Sequence, residues 1–370
     1  MNRPGMKPKR IAIFASFSGA GGVERMLLNL AAGIRDAGYG VDLLTIRRDS
    51  RHLTALPAGV RHLPLQGGHA WAAVPALARY LRREPPAALL AAKDRANRAA
   101  VLARALAGRS MPLGLRLGTH LGGVRGARRT LGDRLRGALY RRAEAVIVVS
   151  QAMADDLLPR FGLPPQRVRV IRNPVLTPGL ARQAQAPCPH PWLAQDTPVI
   201  VGMGRFTRQK DFPTLLRAFA ALRAKRPARL VLLGEGAGQA DCAALAASLG
   251  VADDLLLPGF VANPHAWLAR ARLFVLSSRW EGSPNALTEA LALGVPSVAT
   301  DCLSGPRELL ADGRYGPLVP VGDAPALSAA MAATLAAPLP AATLRQAVRD
   351  YRQDTAAAAY LNALGLPPRC

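Results

Sequence analysis

Two glutamates, Glu281 and Glu289, stand in the stretch RWEGSPNALTE with seven residues between them. Glu281 lies in a predicted loop after an apolar strand, and Glu289 lies one to two turns inside the predicted helix that begins at Pro284. Carboxylates accept hydrogen bonds from hydroxyl groups, so this pair can hold two parts of a polyhydroxylated ligand. Taken alone, the pair also fits a simpler interpretation, in which Glu281 caps the helix and Glu289 is a solvated helix residue.

The residues between the two glutamates indicate a phosphate site. Ser283 is a favourable helix N-cap, Pro284 is favoured at the first helical position, and Gly282 lets a ligand approach the backbone. The first N–H groups of a helix have no acceptor within it and lie at its positive end, where a diphosphate can bind. Here those groups belong to Asn285, Ala286 and Leu287.

A second set of candidates lies in the segment Gly202–Lys210, directly after a predicted strand. Its glycines allow a tight turn, and Arg205 and Lys210, five positions apart, can converge on a diphosphate. Arginine offers a bidentate fork and lysine a point charge. The alternative is a pair of solvated cations at a helix start.

Further candidates follow other predicted strands. The loop after the first strand contains Gly21 and Gly22 but lacks the spacing G-x-G-x-x-G, which disfavours a dinucleotide cofactor. His120 stands at the carboxyl end of the predicted strand Leu113–Leu117, although a lone histidine is commonly structural. The remaining candidates are Gly234 and Glu235 in a turn, and the polar run of Lys93, Asp94 and Arg95.

Alternating apolar strands and helical patterns must position these residues, and they predict α/β domains with doubly wound parallel sheets. The strands predicted in the first half are Arg10–Ala15, Val41–Ile46, Ala88–Ala92, Leu113–Leu117 and Ala145–Val149. Those predicted in the second half are Val199–Met203, Leu230–Leu233, Asp254–Leu257, Leu273–Leu276 and Ser297–Thr300. Ligands bind such sheets at the carboxyl ends of the strands, so we expect the chemistry in the cleft between the domains.

The chain is long enough for two domains, with 370 residues of which 50% are hydrophobic. Periodicity stops around residues 173–197, where prolines accumulate. We predict a first domain over residues 1–178, a linker over 179–196 and a second domain over 197–350. A final helix over about 351–370 is expected to pack back on the first domain.

The formal net charge of +24 favours an anionic partner. Seven arginines crowd the helical region before Ala145, where a solvated helix face and a patch for anionic lipid are both consistent with the pattern. They are Arg125, Arg128, Arg129, Arg134, Arg136, Arg141 and Arg142.

Four scattered cysteines and six histidines give no metal-ligand spacing, so we expect no metal. Scattered thiols fit a reducing compartment. The sequence has neither a signal-peptide pattern nor the run of about 18 apolar residues that a membrane span needs. We therefore expect a cytoplasmic protein with peripheral contact at the anionic inner-membrane surface.

The stretch from Glu281 to Glu289 resembles the E-x7-E signature of the retaining GT-B glycosyltransferases of family 4. The likeness continues through ALALGVPSVAT at 290–300, GPRE at 305–308 and GPLVP at 316–320. It covers nearly the whole chain and is strongest from Val201 to Gly322. The resemblance implies two Rossmann-like domains facing each other across a cleft, the first on the acceptor side and the second binding a nucleotide sugar.

The family pattern also implies roles for the candidates. Glu281 would contact hydroxyls of the donor sugar and Glu289 the ribose, while Arg205 and Lys210 neutralise the leaving diphosphate. His120 takes the place of the family's active-site histidine near the transferred sugar. Of the glycine-containing loops, the one with Gly21 and Gly22 faces the donor phosphates and the acceptor, and the one with Gly234 and Glu235 borders the nucleotide base. The remaining substrate-binding residues are Gly282, Ser283, Pro284, Asn285, Ala286 and Leu287.

The implied reaction is retaining transfer from a UDP-sugar, with UDP-N-acetylhexosamine a plausible donor, and without cofactor or metal. The acceptor would be a saccharide or a lipid-linked saccharide, because the nearest kinds of enzyme build bacterial lipopolysaccharide, O-antigen or capsule. Two residues depart from the family pattern. Ser283 replaces a larger residue, often phenylalanine, so the sugar pocket is expected to differ in shape, and Asp211 replaces a common glycine.

Two other functions are compatible with parts of the sequence. A GT-B epimerase acting on a UDP-sugar would share the fold, but the two glutamates and the pair of Arg205 and Lys210 argue against it. A nucleic-acid-binding protein would suit the charge. However, the sequence has no helix-turn-helix, zinc or RNA-binding signature, and its basic residues are spread through both domains, so we expect no nucleic-acid partner.

Overall fold

The computed structural model of the chain describes residues 9–17, 22–46, 50–54, 56–118, 130–188 and 190–368. The chain divides into two compact units. The first unit comprises Met1–Pro174 and Gln353–Cys370, and the second comprises Val175–Arg352.

The first unit is built on a seven-stranded parallel sheet in the order β3-β2-β1-β4-β5-β6-β7. Its strands are β1 (Arg10–Ala15), β2 (Gly40–Thr45), β3 (Val60–Pro64), β4 (Ala88–Ala92), β5 (Leu113–Leu117), β6 (Ala145–Val148) and β7 (Val168–Val170). The strands β1, β4 and β6 consist almost wholly of buried apolar residues, because helices cover both faces of the sheet.

The second unit contains a six-stranded parallel sheet in the order β10-β9-β8-β11-β12-β13. Its strands are β8 (Val199–Met203), β9 (Arg229–Leu233), β10 (Leu255–Gly259), β11 (Leu273–Leu276), β12 (Ser297–Thr300) and β13 (Leu318–Val319). Two apolar cores lie on the two faces of this sheet, one around Phe274 and Leu287 and the other around Phe219 and Leu327.

Helices connect the strands in both units. Those of the first unit are α1 (Gly22–Asp36), α2 (Val74–Arg83), α3 (Asp94–Ala107), α4 (Leu131–Tyr140) and α5 (Gln151–Phe161). Those of the second are α6 (Leu180–Ala184), α7 (Phe212–Arg223), α8 (Gln239–Ser248), α9 (His265–Leu268), α10 (Asn285–Ala292), α11 (Pro306–Leu309), α12 (Ala324–Ala336) and α13 (Ala341–Gln346). The last helix, α14 (Gln353–Ala363), returns to the first unit, where Tyr360 and Leu361 share an apolar core with α1.

The segment 179–196, which the sequence suggested as a linker, lies within the second unit. It forms helix α6 and a 3₁₀ turn at Pro191–Ala194, and α6 packs against α9. Side chains fasten it there, since Asn263 donates to the carbonyl of Gln183 at 2.8 Å and Arg270 to that of Ala186 at 2.8 Å. The described residues of this segment thus form a packed part of the second unit.

Each sheet has one point where the strand order reverses, between β1 and β4 in the first unit and between β8 and β11 in the second. The loops after such neighbouring strands diverge to opposite faces of the sheet and leave a crevice, where ligands bind in this class of fold. In the second unit these two loops carry Arg205 and Lys210 on one side and Glu281 on the other.

Within the described ranges, no helix combines the length and the apolar character that crossing a membrane requires.

Candidate active site

In the second unit, a lysine and a glutamate meet where β8 and β11 end. The Nζ atom of Lys210 lies 2.5 Å from Oε1 of Glu281, and both side chains are largely buried. A buried carboxylate needs a counter-charge or hydrogen bonds, and Glu281 has both, because the Ser278 hydroxyl donates to the same oxygen at 2.7 Å. In the part of the chain that the structure describes, no donor contacts Oε2 of Glu281, so this oxygen can accept a hydrogen bond from a ligand hydroxyl.

Hydrogen bonds fasten the two loops to each other. The Ser277 hydroxyl donates to the carbonyl of Lys210 at 2.7 Å, and the N–H of Arg279 donates to the carbonyl of Gln209 at 2.8 Å. The Gln209 amide in turn donates to the carbonyl of Trp280 at 2.9 Å. The contact between the lysine and the glutamate is therefore supported by main chain on both sides.

Asp211, where the resemblance led us to expect glycine, has a left-handed backbone with φ of 48°. Few residues with a Cβ adopt this conformation, and aspartate tolerates it better than most. Arg279 Nε pairs with its carboxylate at 3.0 Å, and the Thr214 hydroxyl donates to it at 2.9 Å. These contacts explain how aspartate is accommodated there.

Arg205 follows β8 in an exposed position, and its guanidinium makes no hydrogen bond or ion pair within the described residues. The side chain of Lys210 packs against Gly204, since a Cβ added to Gly204 would lie 2.7 Å from Lys210 Cε. The loop after β8 thus carries one exposed cation, Arg205, and one largely buried cation, Lys210.

The turn at Gly234 and Glu235 touches this loop directly. Gly234 has a φ of 135°, and a Cβ there would lie 2.0 Å from the carbonyl oxygen of Gly204. The N–H of Phe206 donates to the carbonyl of Glu235 at 3.0 Å. Glycine is therefore needed at position 234 for close packing of two main-chain loops, a reason that the sequence did not reveal.

Helix α10 begins at Asn285, one residue later than predicted, and the N-cap position belongs to Pro284. The prediction that Ser283 caps the helix is wrong, because it precedes the N-cap, and its buried hydroxyl has no hydrogen-bond partner among the described residues. The first helical bond runs from Thr288 N–H to the Pro284 carbonyl at 3.0 Å. The helix therefore supplies no acceptor for the three preceding N–H groups, those of Asn285, Ala286 and Leu287.

The loop after β12 closes over the Glu281 loop, a contact that the sequence analysis missed. The Ser304 hydroxyl donates to the carbonyl of Glu281 at 2.6 Å. Cys302 in the same loop is buried, and this burial, together with the negative charge of Glu281, raises the pKa of its thiol to about 12. The Cys302 thiol is therefore protonated at neutral pH and is not a nucleophile.

Glu289 lies on α10 and is buried, with 6% of its surface exposed. Its Oε2 lies 3.6 Å from Nε2 of His265, the buried first residue of α9. The other ring nitrogen of His265 lies 2.6 Å from the side-chain oxygen of Gln183 on α6. Glu289 is thus not a solvated helix residue, and two side chains that the sequence did not single out stand behind it.

In the first unit, Gly22 is the first residue of α1, whereas Gly21 and His120 lie outside the described residues. Of the seven clustered arginines, the structure describes Arg134, Arg136, Arg141 and Arg142.

The polar run after β4 is engaged in internal contacts. Lys93 has a φ of 78° and donates to Glu24 at 2.7 Å and to a main-chain carbonyl after β1. Asp94 accepts a hydrogen bond from the Tyr140 hydroxyl at 2.8 Å, while Arg95 is exposed. These bonds join the ends of neighbouring strands to the helices that follow them.

Arg116 on β5 is a further buried cation that sequence reasoning missed, with 1% of its surface exposed. Its guanidinium donates to the Tyr360 hydroxyl at 3.1 Å and to the side-chain oxygen of Asn173 at 2.8 Å. These contacts connect β5, the segment after β7 and α14. An arginine inside an otherwise apolar strand was the available signal.

Taken together, the second-unit residues can hold an anion that also carries hydroxyl groups. Lys210, Arg205 and the amino end of α10 supply positive charge or N–H donors, and Glu281 and Glu289 supply acceptors. No group of three or more histidine, cysteine or acidic side chains that could bind a metal occurs among the described residues.

Two protein families match the chain. Residues 197–337 match the family described as Glycosyl transferases group 1. Residues 20–177 match the family described as Glycosyltransferase Family 4. The group 1 match lies within the second unit, and the Family 4 match covers most of the first and ends three residues past the boundary at Pro174.

Individual relatives match about half of the chain at moderate identity. A Campylobacter jejuni protein named N-acetylgalactosamine-N,N'-diacetylbacillosaminyl-diphospho-undecaprenol 4-alpha-N-acetylgalactosaminyltransferase is 32% identical over 183 residues, which are 50% of this chain and 48% of the relative. The lipopolysaccharide 1,6-galactosyltransferase of Salmonella typhimurium is 27% identical over 189 residues, 49% of each chain. The chain thus spans about half the length of the curated relatives it matches.

Among solved structures, Anabaena HepE in complex with UDP-glucose has a TM-score of 0.78 and 20% sequence identity. The superposition covers 96% of this chain and 99% of that one. At this identity the likeness establishes the fold, which both units share with that protein.

Proposed function

Because the chain belongs to the family 4 glycosyltransferases, with the GT-B fold and a group 1 module as its second domain, we propose that it transfers a sugar from a UDP-sugar donor. The acceptor is a saccharide or a lipid-linked saccharide in the synthesis of bacterial lipopolysaccharide or a related surface polysaccharide. The observation that carries the proposal is the buried contact of Lys210 with Glu281 at the strand-order reversal of the second unit.

The second unit provides the donor site in this proposal. Arg205 and Lys210 neutralise the diphosphate, helped by the amino end of α10, so charge that develops on the leaving group meets fixed donors. Oε2 of Glu281 accepts from a hydroxyl of the transferred sugar, and Glu289 accepts from the ribose. Gly234 and Glu235 border the base.

Transfer with retention follows the family pattern. Lys210 and Ser278 both bond to one oxygen of Glu281 and hold its carboxyl group in one orientation. We therefore assign Glu281 to donor binding rather than to nucleophilic attack. The acceptor hydroxyl attacks from the face that the diphosphate leaves, and the departing phosphate takes its proton, which requires no metal or cofactor.

The first unit carries the acceptor side. The family pattern alone assigns Gly21 and Gly22 to substrate binding and His120 to the reaction, and Gly21 and His120 lie outside the described residues. A lipid-linked acceptor is supported by the Campylobacter jejuni relative, whose name specifies a diphospho-undecaprenol-linked substrate. UDP as the nucleotide is supported by the complex of HepE with UDP-glucose.

A cytoplasmic location with peripheral contact at an anionic membrane completes the proposal. It is supported by an open cavity of about 610 Å³ in the first unit, lined by five arginines and one glutamate. These residues are Arg104, Arg109, Arg141, Arg142, Arg167 and Glu144. Arg142 is exposed, and its guanidinium has no partner within the described part of the chain, so it can contact a lipid phosphate.

A donor screen tests the central proposal. A saturating UDP-sugar should raise the melting temperature by about 2–4 °C, whereas GDP-sugars should not. Lys210→Ala and Glu289→Ala should remove the shift, and Arg208→Ala, an exposed cation in the same loop, should keep it. If no nucleotide sugar stabilises the wild-type protein, the donor-site assignment is wrong.

Product analysis separates transfer from epimerisation. A transferase releases UDP in proportion to an added acceptor, such as an undecaprenyl-diphosphate saccharide, while an epimerase converts the UDP-sugar without one. Free UDP that is independent of acceptor, or an epimerised UDP-sugar, would contradict transfer.

Vesicle sedimentation tests the membrane contact. The protein should bind vesicles with phosphatidylglycerol and not those of phosphatidylcholine alone. The double variant Arg109→Ala/Arg142→Ala should bind more weakly than Arg79→Ala/Arg217→Ala, which removes the same charge from exposed positions elsewhere. If both double variants lose vesicle binding to the same extent, binding depends on net charge alone, and the cavity is not the membrane contact.

A further inference from the structure

Two side chains lie in a row behind Glu289, and the row begins at Gln183 in segment 179–196. The side-chain oxygen of Gln183 on α6 lies 2.6 Å from Nδ1 of His265. Nε2 of His265 lies 3.6 Å from Oε2 of Glu289. The three residues come from three different helices, so the contacts depend on how α6, α9 and α10 pack against one another.

The chemistry of Gln183 fixes the orientation of the histidine ring. An amide oxygen only accepts hydrogen bonds, so Nδ1 of His265 carries a proton and donates it to Gln183. The ring is therefore held with Nε2 directed to the Glu289 carboxylate. At 3.6 Å, Nε2 makes no hydrogen bond to Oε2 of Glu289, so the buried ring restrains the carboxylate through the space that it occupies beside it.

The support for Gln183 is itself built in. Asn263 donates to the main-chain carbonyl of Gln183 at 2.8 Å, and Arg270 donates to the carbonyls of Ala184 and Ala186 at 3.2 and 2.8 Å. His265 is 2% exposed, and its ring cannot turn away into solvent. The arrangement restrains the Glu289 carboxylate from the side of α9.

We propose that His265, held by Gln183, is a positioning residue that orients Glu289 and thereby sets how strongly the donor site depends on the ribose hydroxyls. This inference rests on the proposed role of Glu289 in holding the ribose. It assigns a function in nucleotide selection to the segment 179–196, through the side chain of Gln183.

The test compares the affinity of UDP with that of 2′,3′-dideoxy-UDP, which lacks both ribose hydroxyls. Hydrogen bonds to a charged group are expected to make UDP bind about tenfold to a hundredfold more tightly to the wild-type protein. In His265→Ala, the dissociation constant of 2′,3′-dideoxy-UDP divided by that of UDP should fall to about three or less. The dissociation constant of the dideoxy nucleotide should remain within about twofold of its wild-type value.

A purely structural role would give a different result, because a distorted site weakens both nucleotides alike. Gln183→Leu keeps the size of the side chain, removes the acceptor at a solvent-accessible position, and should lower the ratio in the same direction. His265→Gln can place an amide donor near the Glu289 carboxylate and should restore part of the ratio. Gln185→Leu, the same substitution at another exposed position of segment 179–196, is the matched control and should leave the ratio unchanged.

Failures of the two proposals can be distinguished. If Glu289→Ala leaves the UDP to dideoxy-UDP ratio at the wild-type value, the ribose role of Glu289 is wrong. If Glu289→Ala abolishes the ratio while His265→Ala and Gln183→Leu preserve it, Glu289 holds the ribose without help and the positioning inference is overturned. If His265→Ala does not fold, Gln183→Leu and His265→Gln decide the question.

Discussion

Lys210 and Glu281 are 71 residues apart in the chain, and their side chains form a buried contact of 2.5 Å between ammonium and carboxylate. The contact exists because β8 and β11 are neighbours in the sheet, so the loops that follow them meet. Each charge compensates the other. The contact places an ammonium group and a carboxylate oxygen at one point of the proposed donor site.

Removing the lysine should affect stability and activity separately. Lys210→Met leaves the buried Glu281 carboxylate without its counter-charge, so the free energy of unfolding should fall by about 1–3 kcal/mol. If Lys210 neutralises the diphosphate as proposed, the same substitution should also lower kcat/KM by about 10²–10³-fold. Denaturant unfolding and steady-state kinetics measure the two effects.

The double variant Lys210→Met/Glu281→Gln tells the two roles apart. Since the uncompensated charge is gone, most of the unfolding free energy should return, while kcat/KM stays low. Recovery of activity together with stability would show that the lysine acts only as a structural partner of the glutamate.

Arg205 should behave differently, because its guanidinium has no partner within the described residues. Arg205→Ala should weaken UDP binding about tenfold to a hundredfold, as expected for a lost charge-assisted bond. The free energy of unfolding should change by less than about 0.5 kcal/mol, since the side chain is exposed.

Arg208→Ala is the control for this effect, because Arg208 is also exposed in the same loop. Calorimetric titration with UDP at two salt concentrations measures both variants. Equal weakening by the two substitutions would indicate general electrostatic attraction and would remove the specific role of Arg205.

The sequence predicted much of the fold because the inner strands are short, continuous apolar runs between helical patterns. The edge strand β3 was missed because Val60–Pro64 mixes polar and apolar residues and is only half buried. The edge strand β7 has three residues, too few to give a pattern. The sequence predicted the start of α10 one residue too early. Proline favours a first helical position, but Pro284 has a non-helical ψ of 85° here.

The local parts of the candidate site followed from motifs, but its contacts could not. The contacts of Gln183 with His265 and of His265 with Glu289 depend on the packing of three helices. Residue spacing in the sequence cannot predict such contacts. The prolines around Gln183 suggested a linker because proline breaks periodicity, whether or not the segment packs. In the same way, the need for glycine at 234 arises from a main-chain oxygen thirty positions earlier, that of Gly204.

Gly234→Ala should destabilise the second unit strongly. The added Cβ would meet the Gly204 carbonyl oxygen at 2.0 Å, and the φ of 135° is outside the range of residues with side chains. Backbone strain and overpacking together should lower the free energy of unfolding by about 3 kcal/mol or more. The shifted Gly204 loop should also weaken UDP binding.

Gly250→Ala is the matched control, because Gly250 has a left-handed φ of 69° with open space around its Cβ position. It should cost only about 1 kcal/mol. Denaturant unfolding of the two variants provides the comparison. Similar losses at both positions would show that the contact with the Gly204 carbonyl is unimportant.

Asp42 connects stability to pH in the first unit. Its carboxylate on β2 is buried and accepts hydrogen bonds from Arg10 at 2.6 Å, Arg61 at 2.7 Å and Tyr80 at 2.6 Å. Burial alone raises the pKa of Asp42, but the hydrogen bonds from Arg61, Arg10 and Tyr80 together hold it below its ordinary value. The ionised form is thus favoured in the folded protein.

A carboxyl group whose pKa is lower in the folded protein than in the unfolded chain stabilises the fold. This stabilisation is complete above the unfolded pKa of about 4 and is lost as the pH falls through the folded pKa. Asp42→Asn should therefore lower the free energy of unfolding by about 1.5–3 kcal/mol at pH 7, and the difference from wild type should shrink below pH 4. Asp36→Asn, at an exposed aspartate of the same unit, should change the free energy by less than about 0.5 kcal/mol at either pH. Denaturant unfolding from pH 3 to 7 measures both variants, and a constant deficit of Asp42→Asn across that range would show that the carboxylate acts through packing and not through its charge.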